Sequence, residues 1–106
     1  MKIREERTPA LLRIHLEGDL DVYQSPALKV KIMSLAEDND LPPKSCLDFS
    51  RVDYVDSAGL GAVIDAHRRL ESAGSPLRLV NLNEDLFRTF KFARLIGFLD
   101  IESPRA

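Results

Sequence analysis

Residues 45–61 read SCLDFSRVDYVDSAGLG and pass from a strand through a short loop into a helix. The first residues alternate between side chains suited to opposite faces, which is the period of a β-strand. Asp56 and Ser57 are residue types that cap helices, and the helix is expected over Ala58–Ala73. The loop therefore follows the carboxyl end of a strand, where open α/β sheets place their functional groups.

The helix start at Ser57 is a favourable place for an anion. Backbone N–H groups of a first helical turn lack helical partners, and the positive end of the helix dipole lies beside them. A phosphate on Ser57 would therefore be stabilised. Gly59 and Gly61 each cost a helix about 1 kcal/mol relative to alanine, which indicates a close approach by the sheet or by a partner. An ordinary cap and tight internal packing are the alternative explanation of the same residues.

The rest of the sequence alternates strands and helices. Strands are expected at Lys2–Arg7, Leu11–Glu17, Ser45–Ser50, Pro76–Leu82 and Phe98–Ile101, and helices from Ser25, over Ala58–Ala73 and after Asn83. The order β-β-α-β-α-β-α-β predicts an α/β fold with a mixed, mostly parallel sheet and right-handed crossovers. Polar residues on one face of the second strand predict that the helices pack mainly on the other face.

Local signals predict how the helices begin, end and face the core. Ser25 is expected to cap the first helix, with Pro26 in its first turn. Gly74 is expected to end the second helix, and Asn83 to cap the third. The stripe of the second helix that is expected to face the core consists of Leu60, Val63, Ile64, His67 and Leu70.

Composition excludes several classes of protein. The chain has 106 residues, 44% of them apolar and 30% charged, with a net charge of −2, which is typical of one globular domain over residues 1–106. No basic block indicates a nucleic acid or an anionic membrane as partner. No apolar run approaches the ~20 residues of a membrane span, so a cytoplasmic protein is expected. Cys46 is the only cysteine, which excludes an internal disulfide and predicts a buried thiol.

The residues around Ser57 resemble two other kinds of site only in part. Four loop acids could suggest a Mg²⁺ pocket like that of receiver domains: Asp19, Asp21, Asp53 and Asp56. The acidic pair after the first strand and the lysine after the last strand of a receiver are missing, so no metal is expected. Ser57 lies in Asp-Ser-Ala-Gly rather than Gly-x-Ser-x-Gly, and neither His15 nor His67 is placed to activate it. No catalysis and no cofactor are therefore expected.

The run Val52–Gly61 resembles the signature of the STAS domain, which is found in sulphate transporters and anti-sigma factor antagonists. Leu16–Asp21, with the sequence LEGDLD, resembles the acidic motif that ends the family's second strand. Leu79–Leu82 and Phe92–Phe98 fit its fourth strand and third helix. The resemblance covers nearly the whole chain in the right order and implies the STAS fold.

The resemblance also implies a mechanism. In such antagonists the serine that matches Ser57 is phosphorylated by a partner that is both anti-sigma factor and serine kinase, of the GHKL type. The unphosphorylated antagonist binds that partner and releases the sigma factor, and a PP2C-type serine phosphatase restores the active form. The residues implied in partner binding are Asp21, Asp56, Ser57, Ala58, Gly59, Leu60 and Gly61. Ala58 departs from the commonest pattern, in which a second serine follows the first, so Ser57 is the only acceptor in the loop.

Other STAS domains serve different functions. One alternative is a STAS subunit of an ABC-type lipid transporter, which would bind an ATPase constitutively. A scaffold in a signalling assembly is a second alternative. The matches at Asp21 and Ser57 favour the phosphorylation switch over both.

Overall fold

The structure, a computed structural model, describes residues 1–104. Its elements are β1 (Lys2–Arg7), β2 (Leu12–Glu17), α1 (Ser25–Ala36), β3 (Ser45–Arg51), α2 (Ser57–Ser72), β4 (Leu77–Val80), α3 (Glu84–Phe92) and β5 (Asp100–Ile101). This is the predicted order. The last strand is shorter than predicted, because the chain still turns at Gly97 and Phe98 and pairs with β4 only from Asp100.

The strands form one sheet in the order β1-β2-β3-β4-β5. The β1–β2 pair is antiparallel, and the remaining neighbours are parallel. Because each parallel connection moves one strand further in the same direction, right-handed crossovers place α1, α2 and α3 on the same face. The predicted fold class, a mixed and mostly parallel sheet with helices on one face, is confirmed.

The two faces of the sheet differ in what covers them. On β2, Leu12, Ile14 and Leu16 are at most 1% exposed and belong to the hydrophobic core under the helices. Arg13 and His15 alternate with them on the helix-free face and are half-buried. The chain therefore has one core between sheet and helices, and the opposite face of the sheet is charged.

The buried face of α2 differs from the predicted stripe. Its buried residues are Gly59, Ala62, Val63, Ala66 and Leu70. Val63 and Leu70 are buried as predicted, and Leu60 is half-buried but packs against the core, whereas Ile64 and His67 are only half-buried. The prediction gave most weight to the largest apolar side chains, whereas the closely packed face of this helix is built mainly from glycine and alanine.

The helix ends follow the predictions with one exception. Gly74 has φ +83° after α2, and the Asn83 side chain accepts a hydrogen bond from the Leu86 N–H at 2.8 Å. Pro26 lies in the first turn of α1, as predicted. Ser25, however, is not the cap, because it is already helical and buried, and the preceding Gln24 makes no capping bond with its side chain.

Candidate functional site

Two loops at the carboxyl edge of the sheet are joined to each other. One follows β2 and the other follows β3, and Leu20 and Val55 form a parallel bridge between them. The Leu20 N–H donates to the Tyr54 carbonyl at 2.9 Å, and the Leu20 carbonyl accepts from the Asp56 N–H at 3.2 Å. The loop before α1 and the loop before α2 therefore form one connected surface.

Asp56 is the residue that fixes the start of α2. One carboxylate oxygen accepts from the Gly59 N–H at 2.9 Å, which makes Asp56 the N-cap. The other oxygen accepts from the Val22 N–H in the neighbouring loop at 3.0 Å. The sequence left open whether Asp56 or Ser57 caps the helix, and the geometry assigns the cap to Asp56.

Ser57 is the first residue of α2 and is exposed. Because Asp56 caps the helix, the Ser57 hydroxyl takes no part in holding the helix start. Within residues 1–104 the backbone N–H groups of Ser57 and Ala58 have no hydrogen-bond acceptor. Free N–H groups at a helix N-terminus favour an anion, so a phosphate on Ser57 would meet donors as well as the helix dipole.

Asp21 shapes the other loop. A carboxylate oxygen accepts from the N–H groups of Tyr23 and Gln24, both at 3.0 Å. Asp21 thus supports the turn that leads into α1, while Val22 at the tip of this turn donates to Asp56. Asp21 and Asp56, which the sequence placed beside Ser57, act within one network of hydrogen bonds to backbone N–H groups.

The two glycines of the motif have different surroundings. A Cβ on Gly59 would lie 2.1 Å from the Leu20 carbonyl oxygen and 2.9 Å from a methyl group of Val55. The close approach expected at Gly59 is therefore made by the chain's own loop. Gly61 is exposed, and a Cβ there would have nothing within 4 Å. Internal packing does not explain the cost of Gly61 to the helix.

Sequence reasoning missed the exposed apolar residues beside Ser57. Tyr23 is 84% exposed, and Val22 and Tyr54 are each 55% exposed. They lie on the two joined loops, where no hydrophobic period exists to identify them. The usable signal was the placement of large apolar side chains directly after loop acids, in Asp21-Val22-Tyr23 and Asp53-Tyr54.

The rim around these residues is acidic, and both histidines are occupied elsewhere. Asp19 and Asp53 are exposed on the same two loops. His15 lies on the helix-free face, where its Nε2 is 2.8 Å from a Glu6 carboxylate oxygen. His67 lies beyond the middle of α2, with its ring 5.2 Å from the Phe98 ring. The loop surface therefore combines exposed apolar side chains, a serine and acids.

Asp48 forms a second polar cluster, on the helix-free face. One oxygen accepts from the Arg13 guanidinium at 2.9 Å and from the Asn81 amide at 3.1 Å, and the other accepts from the Ser50 N–H at 2.9 Å. Burial acts to raise the pKa of Asp48, but the hydrogen bonds from Ser50, Asn81 and Arg13 outweigh it and lower that pKa. This buried carboxylate links β2, β3 and the end of β4.

Residues 1–104 contain neither a membrane-spanning helix nor a cluster of metal-ligating side chains. No helix formed by residues 1–104 is long and apolar enough to cross a membrane. In the same residues, no three His, Cys, Asp or Glu side chains are grouped so that they could hold a metal ion. Cys46 is buried, as predicted.

The protein-family model described as "Mlab, STAS domain" matches residues 3–100. The chain belongs to the STAS domain family. It is similar to the anti-sigma-B factor antagonist of Bacillus subtilis (strain 168), with 36% identity over 93 residues, which are 87% of this chain and 82% of the relative. The predicted family resemblance is confirmed.

Solved structures support the fold. The anti-sigma factor antagonist SpoIIAA in its unphosphorylated form has a TM-score of 0.71 at 22% identity, over 98% of this chain and 90% of that one. The phosphorylated form of SpoIIAA, from Bacillus, has a TM-score of 0.70 at 23% identity, over 96% and 92%. An anti-sigma factor antagonist from Mycobacterium paratuberculosis has a TM-score of 0.78 at 20% identity, over 94% and 83%.

Proposed function

We propose that the chain is an anti-sigma factor antagonist that binds its partner through the loop surface around Ser57 and is switched off by phosphorylation of Ser57. The class of function agrees with the Bacillus subtilis relative, whose similarity extends over most of both chains. The observation that carries the switch is the position of Ser57: it is exposed at the N-terminus of α2, beside a cap that leaves its hydroxyl free.

The switch acts through the surface and leaves the fold intact. A phosphate adds about −1.5 to −2 charges and three acceptor oxygens. The free N–H groups of Ser57 and Ala58 stabilise those oxygens, so α2 is not expected to unfold. The unphosphorylated and the phosphorylated form of SpoIIAA both share the fold of the chain, which agrees with this expectation. What changes is the bulk and the negative charge of a surface that already carries Asp53 and Asp56.

The loop surface indicates the chemistry of the partner. Tyr23, Val22 and Tyr54 offer exposed apolar contacts, and aromatic side chains of this kind often contribute much of the binding energy in protein interfaces. The acidic rim favours basic residues at the edge of the partner surface, and we expect the partner atoms that meet Ser57 to be closely packed and without positive charge, so that a phosphate there is excluded. An anti-sigma factor with GHKL-type serine kinase activity fits the role, and a PP2C-type phosphatase would remove the phosphate. We expect residues 1–106 to form one domain that acts in the cytoplasm. We expect it to catalyse no reaction and to need no cofactor.

The alternatives receive less support from the same observations. A constitutive transporter subunit or a scaffold needs no exposed serine at a helix N-terminus. The relative from Bacillus subtilis is named an anti-sigma-B factor antagonist. A permanently unmodified Ser57 would favour these alternatives.

The test compares the variants Ser57→Ala and Ser57→Glu with the wild-type protein. Tagged proteins are purified from the native cells, the intact mass is measured, and the bound proteins are identified and quantified. We expect a gain of about 80 Da on the wild type that maps to Ser57 and is missing in Ser57→Ala. We also expect the anti-sigma kinase to co-purify with Ser57→Ala and to be lost from Ser57→Glu.

Ser72→Glu is the matched control. It adds the same charge at an exposed position at the other end of α2, about 22 Å away along the helix axis. It should keep the partner. Equal recovery of the partner by Ser57→Ala and Ser57→Glu, with no phosphate found on the wild type under growth or stress, would contradict the proposal.

A further inference from the structure

The helix-free face of the sheet carries a depression near the carboxyl edge. Its volume is about 380 Å³. The polar residues that line it are Lys2, Arg4, His15, Glu17, Ser50 and Arg51. They come from β1, β2 and the end of β3, so the depression lies on the helix-free side of the same sheet edge from which the Ser57 loops leave.

A β-bulge shapes this depression. His15 pairs with Asp48, but Glu17 pairs with Arg51, so β3 contains one more residue than β2 in this interval. In a regular strand, Ser50 and Arg51 would point to opposite faces. The extra residue interrupts the alternation and lets both side chains line the same depression.

Within the described residues 1–104, the three cations of the depression form no ion pair. Asp48 holds Arg13 at 2.9 Å, and the Glu6 carboxylate lies 2.8 Å from the lining residue His15. None of the ion pairs found among residues 1–104 involves Lys2, Arg4 or Arg51.

One carboxylate opposes these three cations. Glu17 lies across from Lys2 on the neighbouring strand and pairs with Arg51 in the ladder. If His15 is counted as neutral, the lining has a surplus of two positive charges. In a protein with a net charge of −2, this surplus is a local property of one site.

We propose that this depression binds a small molecule through a dianionic phosphate group. Arginine forks recognise phosphate oxygens by paired hydrogen bonds, and Lys2 and the Ser50 hydroxyl add further donors. The charge of a phosphate monoester matches the surplus. The volume leaves room for more than the phosphate itself, and the one aromatic ring that lines the depression, the His15 imidazole, is held by Glu6 at 2.8 Å. The ligand is therefore recognised by its phosphate, and the inference does not depend on the function of Ser57.

The test is a titration of the full chain with inorganic pyrophosphate, followed by two-dimensional ¹H–¹⁵N NMR. Sodium chloride at the same ionic strength serves as the blank, because it screens charges without binding a specific site. We expect saturable shifts at the amides of Arg4, Glu17 and Arg51. The amides of Ser57 and Ala58, at the N-terminus of α2, report any binding at that alternative anion site.

Three variants are expected to change the affinity for pyrophosphate in different ways: one lowers it, one raises it and one leaves it unchanged. Arg51→Gln should weaken pyrophosphate binding about tenfold, because it removes a charge-assisted hydrogen bond. Glu17→Gln should strengthen binding several-fold, because it removes the opposing carboxylate. Lys91→Gln makes the same change of charge as Arg51→Gln at an exposed position on α3 and should leave the affinity unchanged.

Three results would overturn the proposal. The first is a response no larger than that to sodium chloride. The second is a loss in Lys91→Gln equal to that in Arg51→Gln, which would show attraction to net charge alone. The third is saturation confined to the Ser57 and Ala58 amides, which would move the anion site to the helix N-terminus.

Discussion

Gly59 and Gly61 belong to the same motif, yet one belongs to the interior of the protein and the other to its surface. Two positions along an α-helix differ by about 200° in direction, and here Gly59 faces the Leu20 carbonyl while Gly61 faces solvent. The difference divides the motif into a packed half, with Gly59 and Asp56, and an exposed half, with Ser57 and Gly61, which we propose as the binding half. Substitutions in the first half should change stability, and substitutions in the second should change partner binding.

Gly59→Ala should have the largest effect. The new Cβ would lie 2.1 Å from the Leu20 carbonyl oxygen. That oxygen cannot retreat freely, because it accepts a hydrogen bond from the Asp56 N–H. We expect a loss of ~3 kcal/mol or more in the free energy of unfolding, measured by urea denaturation. A variant as stable as the wild type would break the division of the motif into two halves.

Asp56→Ala should have the next largest effect. It removes the acceptor of two backbone N–H groups, those of Gly59 and Val22. Loss of a helix cap and of a second hydrogen bond should reduce the free energy of unfolding by about 2 kcal/mol. Asp56→Asn is the matched control, because its remaining carbonyl oxygen can keep the cap, and it should lose about half as much. Equal losses in both variants would show that the charge of Asp56, rather than its cap, is what stabilises the loops.

Asp48→Asn separates stability from binding, because Asp48 lies on the helix-free face. Loss of the carboxylate should lower the free energy of unfolding at pH 7 by about 1 to 2 kcal/mol. The cost is limited because the Arg13 side chain is 34% exposed and can reach water. Binding of the anti-sigma partner to the folded variant should be unchanged. Weaker binding would extend the partner surface beyond the loops.

The same substitution predicts a pH dependence. The pKa of Asp48 is lowered in the folded state, so its contribution is fully present above the unfolded carboxyl pKa of about 3.9. The contribution is lost as the pH falls through the lower folded value. The stability difference between wild type and Asp48→Asn should therefore be constant near neutral pH and shrink on acidification below about pH 4. Urea titrations at a series of pH values measure it, and an unchanged difference at low pH would contradict the assignment.

The fold was predictable where the sequence is periodic. Alternation in β2 and helical spacing in α1 to α3 determine the order of elements, and the order determines the face on which the helices pack. The buried face of α2 was misplaced because Ala62 and Ala66 carry a weak hydrophobic signal although they allow close packing. The predicted last strand was too long, because apolar Phe98 and Leu99 resemble strand residues although the chain has not yet begun to pair with β4.

The site was predictable in its residue types and not in their contacts. Ser57 remains a predicted phosphorylation site, now with a geometry that suits it. The Leu20 carbonyl beside Gly59 and the bulge between Glu17 and Arg51 depend on how distant segments pair, which no local pattern reveals. Tyr23 was missed because a loop has no period against which an exposed aromatic residue stands out.

Gly61→Ala should have the smallest effect on stability, and of opposite sign. The position has no heavy atom within 4 Å of a new Cβ, and alanine is the better helix former, so the free energy of unfolding should rise by up to about 1 kcal/mol. If Gly61 lets a partner approach closely, the added methyl group should weaken binding of the anti-sigma partner by about tenfold. Calorimetric titration of the partner onto Gly61→Ala measures this, with Ser72→Ala at the far end of α2 as the control. A variant that is more stable and binds as tightly as the wild type would remove Gly61 from the binding half and leave Ser57 and the exposed loop residues as its members.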